Sequence, residues 1–139
     1  MATTMREIMS QAPVSLGPAD SVAEAAKAMK EHGIGTVLVV SGGRLTGLLT
    51  DRDITVRVLA ENRDPATTSV GDVCSQDLAV LGPDDDVDQA ARLVRERAVR
   101  SIPVVEGGTP VGVVSIGDLA IEKDRRSARP DVSAAPPDA

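Results

Sequence analysis

The chain of 139 residues contains no phenylalanine, tyrosine or tryptophan, a single cysteine and a single histidine. Without aromatic rings it cannot build the stacking platforms that hold single-stranded nucleic acid or read RNA, nor an aromatic cage for a quaternary amine. Basic residues are in the minority. Fifteen Lys and Arg against 21 Asp and Glu give a formal charge of −6, which opposes the basic footprint of a duplex-DNA binder. A lone cysteine allows no intrachain disulfide and no Cys₂ or Cys₄ zinc pattern. A lone histidine without a flanking ligand motif argues against a metal centre. Long apolar runs are missing too. The stretch Val37–Val40 is far short of a membrane span, and the start, MATTMREIMSQAP, lacks the basic and apolar regions of a secretory signal. These absences lead us to expect a soluble cytoplasmic protein with neither a nucleic-acid nor a membrane partner.

What the chain does have is an internal repeat. Shifted by 65 positions, Met9–Ile54 lies on Cys74–Leu119 without a gap. Ser10-Gln11 matches Ser75-Gln76, and Leu16-Gly17-Pro18 matches Leu81-Gly82-Pro83. Val22, Ala25 and Ala26 match Val87, Ala90 and Ala91. The pairs Gly42-Gly43 and Gly107-Gly108 coincide, as do Gly47 with Gly112 and Asp53 with Asp118. Two copies are too few and too long for a solenoid, and each alone is near the lower size limit for a stable core. We therefore expect two half-domains docked face to face. The boundaries read as repeat 1 over 4–61, a linker over 62–68, repeat 2 over 69–123 and a disordered Ala/Pro/Asp-rich tail over 124–139.

Both copies read alike. A short helix opens the first, with Thr4 and Glu7 placed for a capping box, and an extended piece follows over Val14–Leu16. Ser21 and Glu24 suggest a second capping box. Val22, Ala25, Ala26 and Met29 then recur at helical spacing, as do Val87, Ala90, Ala91 and Val94. Gly33 suits the left-handed end of the first helix. Ala98 stands there in the second, which predicts a differently built end. Val-rich runs joined by Gly-Gly predict hairpins, Thr36–Ser41 with Leu45–Thr50 and Ser101–Val105 with Val111–Ser115. A helix is expected from Asp51 or Arg52 to about Glu61, and another from Ile116 to Arg125.

The segments Gly47-Leu-Leu-Thr50-Asp-Arg-Asp53 and Gly112-Val-Val-Ser115-Ile-Gly-Asp118 carry the chemistry. Each ends a strand in a hydroxyl and places an aspartate three positions on, at a helix start. A hydroxyl and free amides there can donate to a phosphate, and the carboxylate can accept from two vicinal ribose hydroxyls. The same residues also suffice as plain helix caps, and both readings stand on the sequence. Single-copy residues read as structural. His32 sits at a helix end, Cys74 aligns with Met9 as a small packing residue, and the acidic run Asp84–Asp86 favours a helix N-terminus.

The order helix–strand–helix–hairpin–helix, twice, with Gly-x-x-[Ser/Thr]-x-x-Asp closing each hairpin, resembles a tandem pair of cystathionine β-synthase (CBS) domains. Ile34-Gly-Thr-Val-Leu-Val-Val and Val99-Arg-Ser-Ile-Pro-Val-Val are similar to a family segment. The second copy keeps its proline at Pro103, whereas the first has Leu38. The resemblance covers about Thr4 to Lys123. It implies an α/β fold of two βαββα-type repeats with pseudo-twofold symmetry. It also implies clefts between the repeats that bind adenosine-containing ligands: AMP, ADP, ATP, S-adenosylmethionine or NAD. By resemblance, Thr50 and Ser115 would meet phosphate, and Asp53 and Asp118 the ribose. Leu16, Ile34, Thr36 and Val37, with Leu81, Val99, Ser101 and Ile102, would surround the base. Arg100, where the first repeat has Gly35, can pair with phosphate, which assigns the more anionic ligand to the second site, or can stand as a solvated or interfacial arginine. The family also implies a homodimer, through Ile54–Leu59 and Leu119–Ile121, that acts on an unknown protein in trans. The alternative is a nucleotide-free structural or stress-induced interaction dimer, with Leu38, Leu48 and Leu49 filling the clefts. No Ser/Cys–His arrangement or Walker A loop is present, so no enzyme is expected and no cofactor is required.

Overall fold

A computed structural model describes residues 3–11 and 13–128, with side chains through Glu122. The elements run α1 (Met5–Ile8), β1 (Ser10–Gln11), β2 (Ser15–Leu16), α2 (Val22–His32), β3 (Thr36–Ser41), β4 (Arg44–Thr50) and α3 (Asp51–Asp53). A π-helical segment, Ile54–Leu59, continues α3. The second repeat gives α4 (Val70–Val73), α5 (Val87–Arg97), β5 (Ser101–Glu106), β6 (Thr109–Ser115) and α6 (Ile116–Ala128).

Two three-stranded sheets form, in the orders β2-β3-β4 and β1-β6-β5. Each hairpin turns on a Gly-Gly pair with positive φ at both residues, 59° and 78° in the first and 61° and 87° in the second. Only glycine takes those angles freely. Along β3 the pleat sends Val37 and Val39 into one core with Val22, Ala25 and Leu49. Ile102 and Val104 do the same in a second core with Val87, Ala90 and Val114. On the opposite faces, Leu38 and Pro103 are buried and the sheets approach each other, with Thr36 Oγ1 and Ser101 Oγ 3.5 Å apart.

The leading segment of each repeat crosses to the other. β1 adds antiparallel to β6, pairing Ser10 with Val113 and Gln11 with Gly112, and Ser75 reciprocally bridges Leu48. Met5, fully buried, belongs to the core of the second repeat. Val70, Val73 and Cys74 belong to the core of the first. This exchange explains the glycines that open the motifs. A Cβ on Gly47 would lie 2.6 Å from Cys74 Sγ, and one on Gly112 2.5 Å from Met9 Sδ and 2.9 Å from the Ser10 carbonyl oxygen.

Several expectations change. Ala98 ends α5 in the same left-handed conformation as Gly33, with φ of 52° against 64°. The end is built alike, at a steric cost of roughly 1–2 kcal/mol for a residue with a Cβ. The expected α-helix after Thr50 is instead one α turn followed by the π-helical stretch. There the β-branched Ile54, Thr55, Val56 and Val58 would crowd an α-helix. Ser21 caps α2 by accepting from the Glu24 N–H, while the Glu24 carboxylate takes the Ser21 hydroxyl rather than a backbone amide. The second extended piece shrinks to a single Leu81–Val104 bridge. α6 continues past Arg125 to Ala128, and the remainder of the expected tail, 129–139, lies outside the described residues. Residues 62–68 are tied to α2, since Val22 N–H donates to Thr68 O and Ala23 N–H to Pro65 O. Within the expected dimer surface, Val58 and Leu119 are buried in the cores. Val56, Leu59 and Ile121 remain exposed.

Candidate functional site

Both hydroxyl–aspartate pairs form reciprocal capping boxes at strand–helix junctions. Thr50 Oγ1 accepts from the Asp53 N–H at 3.1 Å, and Asp53 Oδ2 accepts from the Thr50 N–H at 2.9 Å. Ser115 and Asp118 repeat this at 3.1 and 2.9 Å. The capping role of these residues is therefore realised. It does not exhaust them. Each hydroxyl accepts within the box and keeps its own proton to donate, and each carboxylate keeps its Oδ1 outside the box.

Each box opens onto a cleft walled by the other repeat. Thr50 and Asp53 face Val99, Arg100 and Ser101 across a cavity of about 210 Å³. Ser115 and Asp118 face Ile34, Gly35 and Thr36 across a cavity of about 500 Å³. Thr36 and Ser101 line both clefts, and their contact forms the partition between them. Adding 65 turns one lining into the other: Leu48 into Val113, Thr50 into Ser115, Ile34 into Val99.

The charged positions break this correspondence. The Thr50 cleft carries Arg52, Asp77 and Arg100, whose sequence counterparts are Gly117, Ala12 and Gly35. Arg100 takes the interfacial role that its sequence allowed, and the cleft it lines is not the expected one. It lines the Thr50 cleft, not the Ser115 cleft, and its guanidinium donates to Asp51 Oδ1 at 2.8 Å across the repeat boundary. A long side chain reaches out of its own repeat, which sequence position alone does not reveal. Arg100 forms part of the wall of the smaller cleft, which Asp51 does not line. At the Ser115 cleft the corresponding residues are Gly35 and Ile116, and no such pair can form. Behind the boxes the asymmetry continues, with Arg57 at 3.9 Å from Asp53 Oδ1. Its counterpart, Glu122, is a buried carboxylate that accepts from Thr3 Oγ1.

Of the expected base-surrounding residues, Ile34, Thr36, Val99 and Ser101 line clefts. Val37 and Ile102 alternate with them along the strands and point into the cores. Leu16 packs against the first core and Leu81 lies within the second. Leu38 and Leu49 are buried, and of the three leucines expected to fill the clefts only Leu48 lines one. Sequence reasoning missed Val113, Ser10, Gln11 and Pro13 on the larger cleft and Ser75, Asp77 and Leu78 on the smaller. The signal for Val113 and Leu48 was available, because each stands two residues before its motif hydroxyl and so shares its strand face. His32 is exposed at the end of α2 and also lines the larger cleft. Burial pushes the Cys74 thiol above its ordinary pKa, as befits a packing residue.

Among the described residues, no group of three or more His, Cys, Asp or Glu could hold a metal ion, and no helix is long and apolar enough to cross a membrane. The family model for the CBS domain matches residues 5–60 and 70–123. The CBS domain-containing protein YhcV of Bacillus subtilis is 35% identical over 121 residues, covering 87% of this chain and 86% of that protein. Hypoxic response protein 1 of Mycobacterium tuberculosis is 32% identical over 119 residues, covering 85% and 83%. Among solved structures, the CBS domain pair of protein MJ0100, in complex with 5′-methylthioadenosine and S-adenosyl-L-methionine, superimposes with a TM-score of 0.82. It is 25% identical, and the match covers 91% of this chain and 99% of that one. With two matched copies and an α/β fold of two three-stranded sheets, the chain belongs to the CBS-domain family as a tandem pair.

Proposed function

We propose that the protein is a regulatory module that binds an adenosine-containing ligand between its repeats and acts on a partner in trans. The observation that carries this reading is the Ser115–Asp118 capping box at the wall of a cavity of about 500 Å³. Ligand pockets typically measure about 300–1,000 Å³; this cleft falls within that range, and the Thr50 cleft, at about 210 Å³, falls below it. Asp118 Oδ1 is the acceptor for ribose hydroxyls, and the Ser115 hydroxyl is a donor for the 5′ substituent. Ile34, Val14 and Val113 supply aliphatic surface for the base in place of aromatic stacking. The adenosyl ligands bound to the related MJ0100 pair support the ligand class. The chain catalyses no reaction in this reading, because the paired aspartates act as acceptors and caps.

A thermal melt followed by circular dichroism tests it, with AMP, ADP, ATP, NAD, S-adenosylmethionine and, as control, GTP. A ligand at 100 times its dissociation constant adds about 2.7 kcal/mol, a shift of several degrees for a domain of this size. A shift with adenosine compounds alone, lost in Ser115→Ala/Asp118→Ala, is the expected result. No shift with any of them would contradict it.

The exposed Val56, Leu59 and Ile121 favour a second, compatible reading in which these helices pair two copies into a homodimer. If the melts show no ligand, that interaction surface becomes the functional one. Sedimentation equilibrium with Leu59→Asp reads it directly: a dimer that becomes a monomer supports the surface, and an unchanged mass excludes it.

A further inference from the structure

The two clefts differ in charge as well as in size, and the difference is concentrated at three positions. Arg52, Asp77 and Arg100 of the Thr50 cleft correspond to Gly117, Ala12 and Gly35. The described lining of the Ser115 cleft therefore contains no lysine and no arginine. Its charged or titratable members are Asp118 and His32, and Glu122 is buried one helical turn behind Asp118. A polyphosphate there would meet the Asp118 carboxylate without a guanidinium to offset it. The amides at the start of α6 are partly used. Ile116 N–H donates to Arg100 O and Asp118 N–H to Ser115 Oγ. Their counterparts at the start of α3 are used alike, where Asp51 N–H donates to Gly35 O and Asp53 N–H to Thr50 Oγ1, so the difference between the clefts lies in the side chains. In the Thr50 cleft, by contrast, a phosphate could draw Arg100 from Asp51, and the Arg52 guanidinium makes no ion pair among the described residues.

We infer that the Ser115 cleft selects adenosine-type ligands without a phosphate chain, either neutral or carrying a cationic group such as a sulfonium. The glycines at 35 and 117 set this selection. The inference rests on the reading of this cleft as an adenosine site and deepens it. It also reverses the sequence expectation that the second site takes the more anionic ligand.

The site-resolved test uses methyl NMR on the full chain. The signals of Ile34 and Val113 report the Ser115 cleft, since neither residue lines the other one. Adenosine, S-adenosylmethionine and ATP are titrated in turn. The expected result is that the first two bind at least tenfold more tightly than ATP. Gly117→Arg then installs the counterpart of Arg52. Its Cβ would meet nothing closer than Ser115 Oγ at 3.6 Å, so the helix accepts it. Gln11→Lys adds a cation from the opposite wall, at an exposed residue. Either substitution should raise the ratio of ATP to adenosine affinity about tenfold. If all three ligands fail to move Ile34 and Val113, the adenosine reading fails and this inference with it. If adenosine binds but ATP matches it, or neither variant changes the ratio, only the charge selection is wrong.

Discussion

The Thr50 and Ser115 clefts descend from the same local pattern yet present different surfaces. Both have a capping box, a partition of Thr36 and Ser101, and aliphatic walls. One, of about 210 Å³, is lined by Arg52 and Arg100. The other, with glycine in place of Arg100, is more than twice as large and lacks them. Duplication supplies two copies of a frame whose internal hydrogen bonds demand little more than a hydroxyl and an aspartate. The side chains that the frame does not need, at positions 35, 52, 100 and 117, are free to diverge. The function of each cleft is set there.

The largest way to break the comparison is through the crossing segments. Gly112→Ala places a methyl against Met9 and the Ser10 carbonyl and should destabilise the fold by about 1–3 kcal/mol, as overpacking does. It would also lift β1, a wall of the larger cleft, from β6. Gly47→Ala meets Cys74 Sγ and a more distant carbonyl at 3.2 Å, so its cost should be smaller. Urea unfolding of both variants checks the ranking. A larger cost for Gly47→Ala would contradict it.

Removing one aspartate at a time separates capping from binding. Asp118→Ala and Asp53→Ala should each cost about 1 kcal/mol, the usual worth of a cap. Only Asp118→Ala should abolish ligand binding in calorimetry. Equal losses of affinity would mean that the clefts are not functionally distinct.

The helix ends give a pair of opposite sign. Ala98→Gly relieves a left-handed alanine and should raise stability by several tenths to 1 kcal/mol, while Gly33→Ala should lower it by a similar amount. Thermal melts suffice, and a destabilised Ala98→Gly would show that Ala98 is not strained. The smallest expected effect is Arg100→Ala. Its ion pair with Asp51 is more than half exposed on both sides, so the change in stability should stay within about 1 kcal/mol. The variant nevertheless opens the Thr50 cleft, and a second ligand appearing per chain in calorimetry is the expected sign. A stoichiometry unchanged from the parent chain would show that Arg100 is not what limits this cleft.

Much of this was legible because it is local or periodic. The 65-residue offset, the Gly-Gly hairpins and the Thr50–Asp53 and Ser115–Asp118 boxes depend on residues a few positions apart. The exchange of leading segments was not legible. Met5, Val70 and Val73 declare that they need a core, but not which core. The division between cleft and core was blurred for a related reason. The run Thr36-Val-Leu-Val-Val is apolar on both faces because one face meets the helix and the other the second sheet, so alternation could not mark Val37 as inward. Arg100 shows the remaining limit. Its partner, Asp51, is 49 residues away, and only the docking of the repeats brings them together.

The central claim is that ligand occupies the Ser115 cleft and not its twin. The most direct measurement is a methyl NMR titration of the unmodified protein with S-adenosylmethionine, comparing Ile34 and Val113 with Leu48 and Val99. We predict saturable shifts at Ile34 and Val113 while Leu48 and Val99 stay in place. Shifts confined to Leu48 and Val99, or no shift at all, would contradict the account.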